Sequence, residues 1–444
     1  MMRGTFRARQ QSLFARVFDV TVMNYAILCM NLLTGILTAR FLGPSQKGVY
    51  YAISSWVDMI GYLAGLGINQ AFVWYYHGNV DRRKLFRRTL MIGLCSILVS
   101  SVIGGFLIWY PMHRLGHTAL LWAGIGLAML PIGTLYGIAT TYLLASGNVA
   151  VYNRLRLIQS VSSTLGIVIL AACKYLNLSS YLTCLNGTSL MASLLCVAVT
   201  IRQLQKEITA VTEEVPAVPQ FMSKSLAYFL PSLSSLFNER LDQMICTLWL
   251  SQREIGLYGV SNSSLGVLGS LIGGFSTVFY PTMAQSDSEE ITNKGNKAFR
   301  LYTLMALAAI FCVITLSPEV LRVMYGRNYV AAYPIVVGLA PVAVFSGLIA
   351  ILYQGFFSAG KPSYALVSEI VGAVSGAILI WWLAPRDGAV GVAVANSISY
   401  VLDFAICILF WMKLGGKIRD LIPMWTDITS LWTASKGRLR ALFA

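Results

Sequence analysis

The sequence predicts an all-α integral membrane protein, with about twelve transmembrane helices in two six-helix bundles related by a parallel pseudo-two-fold repeat. Three observations predict it. Only 11% of the 444 residues are charged and 57% are apolar, against about 25% charged in a soluble domain. Such a chain has too little polar surface to cover a globule in water. Apolar runs of about 20 residues, the length that crosses a bilayer, recur from end to end. The second half also repeats the spacing of the first.

In chain order, the basic start MMRGTFRARQ is followed by an apolar run with no small-residue cleavage site, so that run is expected to stay as a membrane helix. Predicted spans cover 17–39, 49–75, 90–110, 119–144, 155–173 and 180–201, then 226–250, 256–281, 300–317, 332–357, 363–384 and 389–412. Residues 1–201 read as an N-terminal six-helix bundle and 225–413 as a C-terminal one. Between them, 202–224 holds Glu207, Glu213, Glu214, Pro216 and Pro219 and reads as a cytoplasmic linker. The helix opening the second bundle is expected to break near Pro231. The tail, 414–444, mixes Ile418, Trp425, Trp432 and Phe443 with basic residues and should lie on the inner membrane surface as an amphipathic segment.

Orientation follows from the basic residues, which favour cytoplasmic loops. With the N-terminus inside, 24 Lys and Arg fall on the inner side and 8 on the outer, and Arg240 lies within the membrane. Both termini are therefore expected in the cytoplasm. The net charge of +15 is a topology signal that also attracts anionic membrane lipids, and nucleic acid is not an expected partner.

The repeat appears when residues 42–73 are shifted by 208. Leu42, Gly48, Tyr50, Ser55, Gly61, Leu63 and Gly65 then meet identical residues, seven in 32 positions, where chance gives about two or three. The pair Gly61 and Gly65 should let neighbouring helices approach closely. Six spans per half bring both halves in from the same side, the arrangement of transporters that rock two bundles about a central site.

Chemistry concentrates in SLAYFLPSLSSLFNERLDQMICTLWLSQREIGLY, residues 225–258, where Asn238, Glu239, Arg240 and Asp242 cluster mid-span. An ionisable side chain there costs roughly 2.5–3.5 kcal/mol on insertion scales, so the cluster must face a water-filled cavity or partner charges. Arg240 offers a planar fork suited to phosphate, or it pairs with Asp58, Asp242 or Asp403. Asn238 and Asp242, four apart, share a helix face, whereas Arg240 and Asp242 do not. Asp58 and Asp403 sit near the middle of the second and twelfth spans. With Asp242 they are candidates for coupling transport to H+ or Na+, against a purely structural role.

Other features are quieter. Trp56, Trp74, Trp109, Trp122, Trp381 and Trp382 suit interfacial belts. The eight Cys are scattered without a CxxC and read as small buried apolar residues. His113 and His117 stand four apart with no third ligand, so no metal site is expected. There is no P-loop, GxGxxG or GxSxG. No catalytic residue and no organic cofactor are expected.

The run TARFLGPSQKGVYYAIS and the pattern NERLDQ…GLYGV resemble the bacterial polysaccharide exporter and oligosaccharide flippase family of the multidrug/oligosaccharidyl-lipid/polysaccharide superfamily. The resemblance covers nearly the whole chain, and Asp242, Gly256 and Tyr258 fall on matched positions. It implies translocation of an undecaprenyl-diphosphate-linked oligosaccharide across the bacterial plasma membrane, with a polysaccharide polymerase and glycosyltransferases as partners in the pathway. Some relatives carry several cations on the first two helices of the cavity. Here the first span offers Asn24 and Asn31 instead, with no Arg or Lys. The substrate cavity is accordingly expected to use Arg240, Asn238, Asn24 and Asn31. Rival readings are a lipid II flippase, a cation-coupled drug or metabolite exporter of the same superfamily, and a membrane polymerase or glycosyltransferase. The last would need more external chain than the fourteen or so residues around 318–331.

Overall fold

The computed structural model describes the backbone of residues 2–78, 80–206, 214–266 and 288–424, and their side chains apart from 2–21, 230–241 and 288–291. Helices dominate: α1 (Met2–Gly65), α2 (Ile68–Tyr76), α3 (Arg82–Arg114), α4 (His117–Ala145), α5 (Val149–Ala172), α6 (Leu178–Lys206) and α7 (Val218–Trp249). They are followed by α8 (252–266), α9 (Ser288–Val320), α10 (Tyr333–Ser358) and α11 (Pro362–Lys413). Among the described residues, eight helical stretches are long and apolar enough to cross a membrane. The protein is a multi-pass membrane protein.

Two of those stretches, Val22–Tyr76 and Pro362–Lys413, run to 55 and 52 residues, more than twice what one crossing needs. Glycines divide them. Gly43 (φ 69°, ψ 174°) interrupts α1 and Gly388 (φ 57°, ψ −140°) interrupts α11, in a backbone region that side chains exclude. These breaks fall between the predicted spans 17–39 and 49–75, and near the junction of 363–384 and 389–412. Across the first break, Lys47 Nζ donates to Thr38 Oγ1 at 2.6 Å and sits 4.8 Å from the ring centre of Tyr50 and 5.6 Å from that of Tyr181 on α6.

Local sequence explains several other ends. Asp81 accepts from the Arg83 and Lys84 amides to start α3. Ser251 and Glu254 form a capping box at the start of α8: the Ser251 amide donates to Glu254 Oε2 at 3.0 Å, and the Glu254 amide to Ser251 Oγ at 3.3 Å. Helix α7 runs through Pro231 as one helix, contrary to the expected break. A proline removes one backbone bond and can bend a helix without ending it.

The chain divides into two compact units, 1–233 and 234–444. Helices extend into the predicted linker from both sides, to Lys206 and from Val218. In the first unit α1 packs on α3, α4 and α5, and α6 on α4 and α5. Its core gathers Phe72, Tyr76, Phe86, Tyr142 and Phe221. Arg83 donates to the Leu204 and Gln205 carbonyls at 2.8 and 2.6 Å, and Arg88 to those of Val215 and Pro216. The basic start of α3 thereby holds both ends of the connection. In the second unit α10 packs against α9 and α11, around Tyr302, Phe356, Cys407 and Trp411.

The outer faces are apolar. Leu98, Val99, Val102, Ile103, Phe106 and Leu107 are exposed along α3, as befits a surface solvated by lipid chains. Trp74, Trp109, Trp381 and Trp382 are exposed too, while Trp122 is half-buried with its Nε1 donating to Ser179 Oγ at 3.1 Å. Burial of the cysteines holds for Cys196, Cys246 and Cys407, but Cys29, Cys95, Cys173 and Cys312 lie on the surface. A thiol is apolar enough to face lipid. Residues 267–287, with the second half of the predicted repeat, and most of the tail (425–444) lie outside the described residues.

Candidate functional site

The first unit holds a polar cavity of about 310 Å³ among apolar helices. Helix α5 supplies most of it through Tyr152, Arg156, Gln159, Ser160 and Ser163, at helical spacings that place all five on one face. Tyr136 and Thr140 from α4, with Ile27 and Asn31 from α1, complete the wall. Among the described residues, no Asp or Glu lines it.

Arg156 is the one formal charge in this lining among the described residues. Its Nη1 donates to Asn24 Oδ1 at 3.1 Å, and its guanidinium lies 5.3 Å from the centre of the Tyr152 ring. Asn24 and Asn31 stand two turns apart on α1, so the same helix face positions the cation and borders the cavity. Most hydroxyls here are satisfied locally: Thr140 Oγ1 donates to the Tyr136 carbonyl at 2.9 Å and Ser163 Oγ to that of Ser160 at 3.0 Å. Gln159 Nε2 donates to Ser189 Oγ at 3.4 Å. The Tyr136 hydroxyl is buried and has no hydrogen-bond partner among the described residues.

Asn24 and Asn31 were expected at the substrate cavity, and the structure brings both to this site. Arg240 was the cation expected at the cavity, with none on the first span. The cavity described here has a cation from α5: Arg156, one of the 24 basic residues counted on the inner side, lies in its wall. Helix α5 begins at Val149, so Arg156 lies two turns inside it, roughly 10 Å from its start. Asn238 and Arg240 lie on the α7 backbone, with side chains outside the described residues.

A second cavity of about 310 Å³ in the same unit contains Asp58, with Gly61 and Gly65 of α1, Gly93 of α3, and Gly133 and Gly137 of α4. Missing side chains create much of this space. Gly61 does serve close packing, since a Cβ there would lie 2.9 Å from Leu130 Cδ2. Around Gly65 there is open room instead.

The other two carboxylates are buried in the second unit. Asp242 Oδ2 accepts from the Tyr258 hydroxyl at 2.5 Å and from Asn396 Nδ2 at 2.9 Å, and Asn396 also donates to the Tyr258 hydroxyl at 2.7 Å. The motif positions Asp242 and Tyr258 thus meet across α7 and α8, joined by Asn396 from α11. Sequence alone did not single out Asn396, one amide in an apolar helix. Asp403, two turns further along α11, accepts from Tyr353 Oη at 3.4 Å and Cys407 Sγ at 3.5 Å. Ser368 Oγ donates to Tyr353 Oη at 3.1 Å. Among the described residues, no Lys or Arg forms an ion pair with Asp403.

Residues 13–287, more than half of the chain, match the family of polysaccharide biosynthesis proteins. The chain belongs to that family. A relative, the lipid III flippase of Escherichia coli (strain K12), is 23% identical over 407 residues, covering 86% of this chain and 95% of the relative. The probable low-salt glycan biosynthesis flippase Agl15 of Haloferax volcanii is 19% identical over 176 residues, 39% of this chain and 37% of that protein. Among solved structures, the lipid II flippase MurJ in an inward closed conformation is similar, with a TM-score of 0.72 and 18% identity over 90% of this chain and 88% of that one. An inward-facing multidrug resistance transporter of the MATE family reaches 0.69 with 14% identity over 87% and 94%. The family, the fold and the apolar helices agree on a multi-pass membrane protein.

Proposed function

We propose that this family member is a flippase that moves an undecaprenyl-diphosphate-linked oligosaccharide from the inner to the outer leaflet of the bacterial plasma membrane, for cell-surface polysaccharide assembly. The observation that carries the reading is the polar cavity with Arg156, set among helices whose outer faces are apolar. A diphosphate bearing sugars cannot cross hydrocarbon unaided, because desolvating an isolated charge costs on the order of tens of kcal/mol in the Born limit. A path through this barrier must offer a cation and hydrogen-bonding groups while the lipid tail stays in the bilayer. Names of relatives add support, since one is a lipid III flippase and another is named a probable glycan biosynthesis flippase.

On this reading the chain works by alternating access of two six-helix bundles, twelve spans in all, with both termini cytoplasmic. It moves its cargo without making or breaking a covalent bond, and it hands the lipid-linked sugar to polymerase or glycosyltransferase partners. Asn24, Asn31, Asn238 and Arg240 contact the substrate in our proposal. Asp58, Asp242 and Asp403 remain the coupling candidates for H+ or Na+.

The test is the sidedness of the lipid-linked oligosaccharide in cells with and without the chain. Deletion should trap the intact oligosaccharide on the inner leaflet, and re-expression should release it. Complete units waiting unpolymerised on the outer leaflet would point to a polymerase. Unchanged lipid-linked sugar would point to an exporter.

A further inference from the structure

We infer that Gln46 and Lys47 form a pH-sensitive clasp that fastens the Gly43 elbow of α1 to the start of α6 in the first unit. The inference does not depend on the flippase reading, because it concerns how this unit holds its own end together.

Two neighbouring side chains make the fastening. Gln46 Oε1 accepts from the Leu178 amide at 3.1 Å, one of the first amides of α6, which find no partner within their own helix. Lys47 is only 3% exposed, and its Nζ donates to Thr38 Oγ1 at 2.6 Å, across the break. Thr38 directs its own proton at the Thr34 carbonyl, 2.7 Å away, so its oxygen is free to accept from the amine. Around the amine stand Tyr50 and Tyr51 of α1 and Tyr181 of α6, with ring centres at 4.8, 5.3 and 5.6 Å. Tyr50 and Tyr181 meet edge to face at 5.0 Å. A capped amide and a caged amine thus join the two helices.

Charge makes the clasp sensitive. The connections 40–48, 111–118 and 173–180 contain Arg40, Lys47, His113, Arg114, His117 and Lys174 but no Asp or Glu. They lie at one end of the unit, where Gln46 reaches Leu178 and Trp122 reaches Ser179. A protonated amine buried here has no carboxylate to pair with, and the ring faces offset only part of its lost hydration. The titratable groups against it are the three phenols, and among the described residues α3, α4 and α5 bring none. Lys47 lies in the connection between the first two predicted spans, and burial lowers its pKa to about 7. Once the clasp opens, the amine reaches water and regains an ordinary value of about 10.4. Between those values the open state binds more protons, so the closed clasp gains as pH rises and weakens as pH falls. Above the window the amine is neutral in both states, and below it charged in both, so the balance stops changing. On the orientation expected from the basic residues, the clasp faces outward and responds to external pH.

The experiment is hydrogen exchange on the full-length chain in nanodiscs at pH 7, 8 and 9, corrected for the intrinsic exchange rate. It follows the segment around Leu178 relative to the second unit. In wild type, protection of this segment should rise by up to about tenfold per pH unit, the limit for one titrating group. Lys47→Met keeps the length and removes the charge, so protection should be high and independent of pH. Lys47→Arg stays charged throughout and should give low protection, equally flat. Gln46→Ala should lower protection roughly two- to tenfold at every pH, the loss of one hydrogen bond, and keep the wild-type slope. A flat wild-type profile overturns the inference whether or not any variant folds. A Lys47→Met profile that keeps the wild-type slope overturns it too.

Discussion

Trp411 is completely buried, and three glycines far apart in sequence make room for it. A Cβ on Gly295, Gly355 or Gly416 would overlap the indole ring, whose Nε1 donates to Asn296 Oδ1 at 3.0 Å. Close packing of this kind, rather than water exclusion, holds membrane helices together. Gly355→Ala should therefore destabilise the second unit by about 1–3 kcal/mol, the usual cost of overpacking. Gly35→Ala, with open space around it, should be neutral; melting curves in detergent compare the two. None of this was legible in the sequence, because a glycine that receives an indole looks like any other glycine. Asp242 and Tyr258 were legible, sixteen residues apart in one motif. Their third partner, Asn396, lies 138 residues beyond Tyr258 and carries no local signal.

At the scale of elements, hydropathy located the helices well because a bilayer forces backbone polar groups to pair within each segment. Polar stripes within helices were harder to see. On α5, Tyr152, Arg156, Gln159, Ser160 and Ser163 recur at helical spacing, a pattern present in the sequence but hidden by counting Arg156 only as an inner-side charge. The role of FLGP between the first two predicted spans was better exposed. There the chain must reverse or bend, and Gly43 occupies a conformation that other residues reach only at about 1–3 kcal/mol. Gly43→Ala should lower thermal stability by that amount even though no atom lies within 4 Å of the added methyl. A clash cannot produce this effect, so an unchanged melting temperature would show that the break does not need glycine. Pro44, immediately after the break, is placed where a helix start loses no amide bond.

For the whole molecule, the threefold bias of basic residues carries the expected orientation, yet the same side chains also build structure. Arg83 and Arg88 hold the two ends of the connection after α6, which counting charges by side could not reveal. The acidic residues raise the remaining question of what drives transport. Asp58 borders a glycine-walled cavity in the first unit, whereas Asp242 and Asp403 are buried in the second. A buried carboxylate is costly unless it is hydrogen-bonded, paired or protonated. Asp403 has long contacts from a phenol and a thiol and no Lys or Arg in an ion pair among the described residues, so the energetic case for exchanging its charge during a cycle is strongest. Asn substitution keeps the shape and removes the titratable charge. Reconstituted vesicles with an imposed pH or Na+ gradient should show transport by wild type that follows one gradient. Asp403→Asn should lose that dependence while still melting like wild type, and Asp58→Asn and Asp242→Asn test the other two positions. Should all three variants move substrate at the wild-type rate, with neither gradient having any effect, carboxylate-coupled transport must be abandoned in favour of passage driven by consumption of the lipid-linked sugar at the outer face.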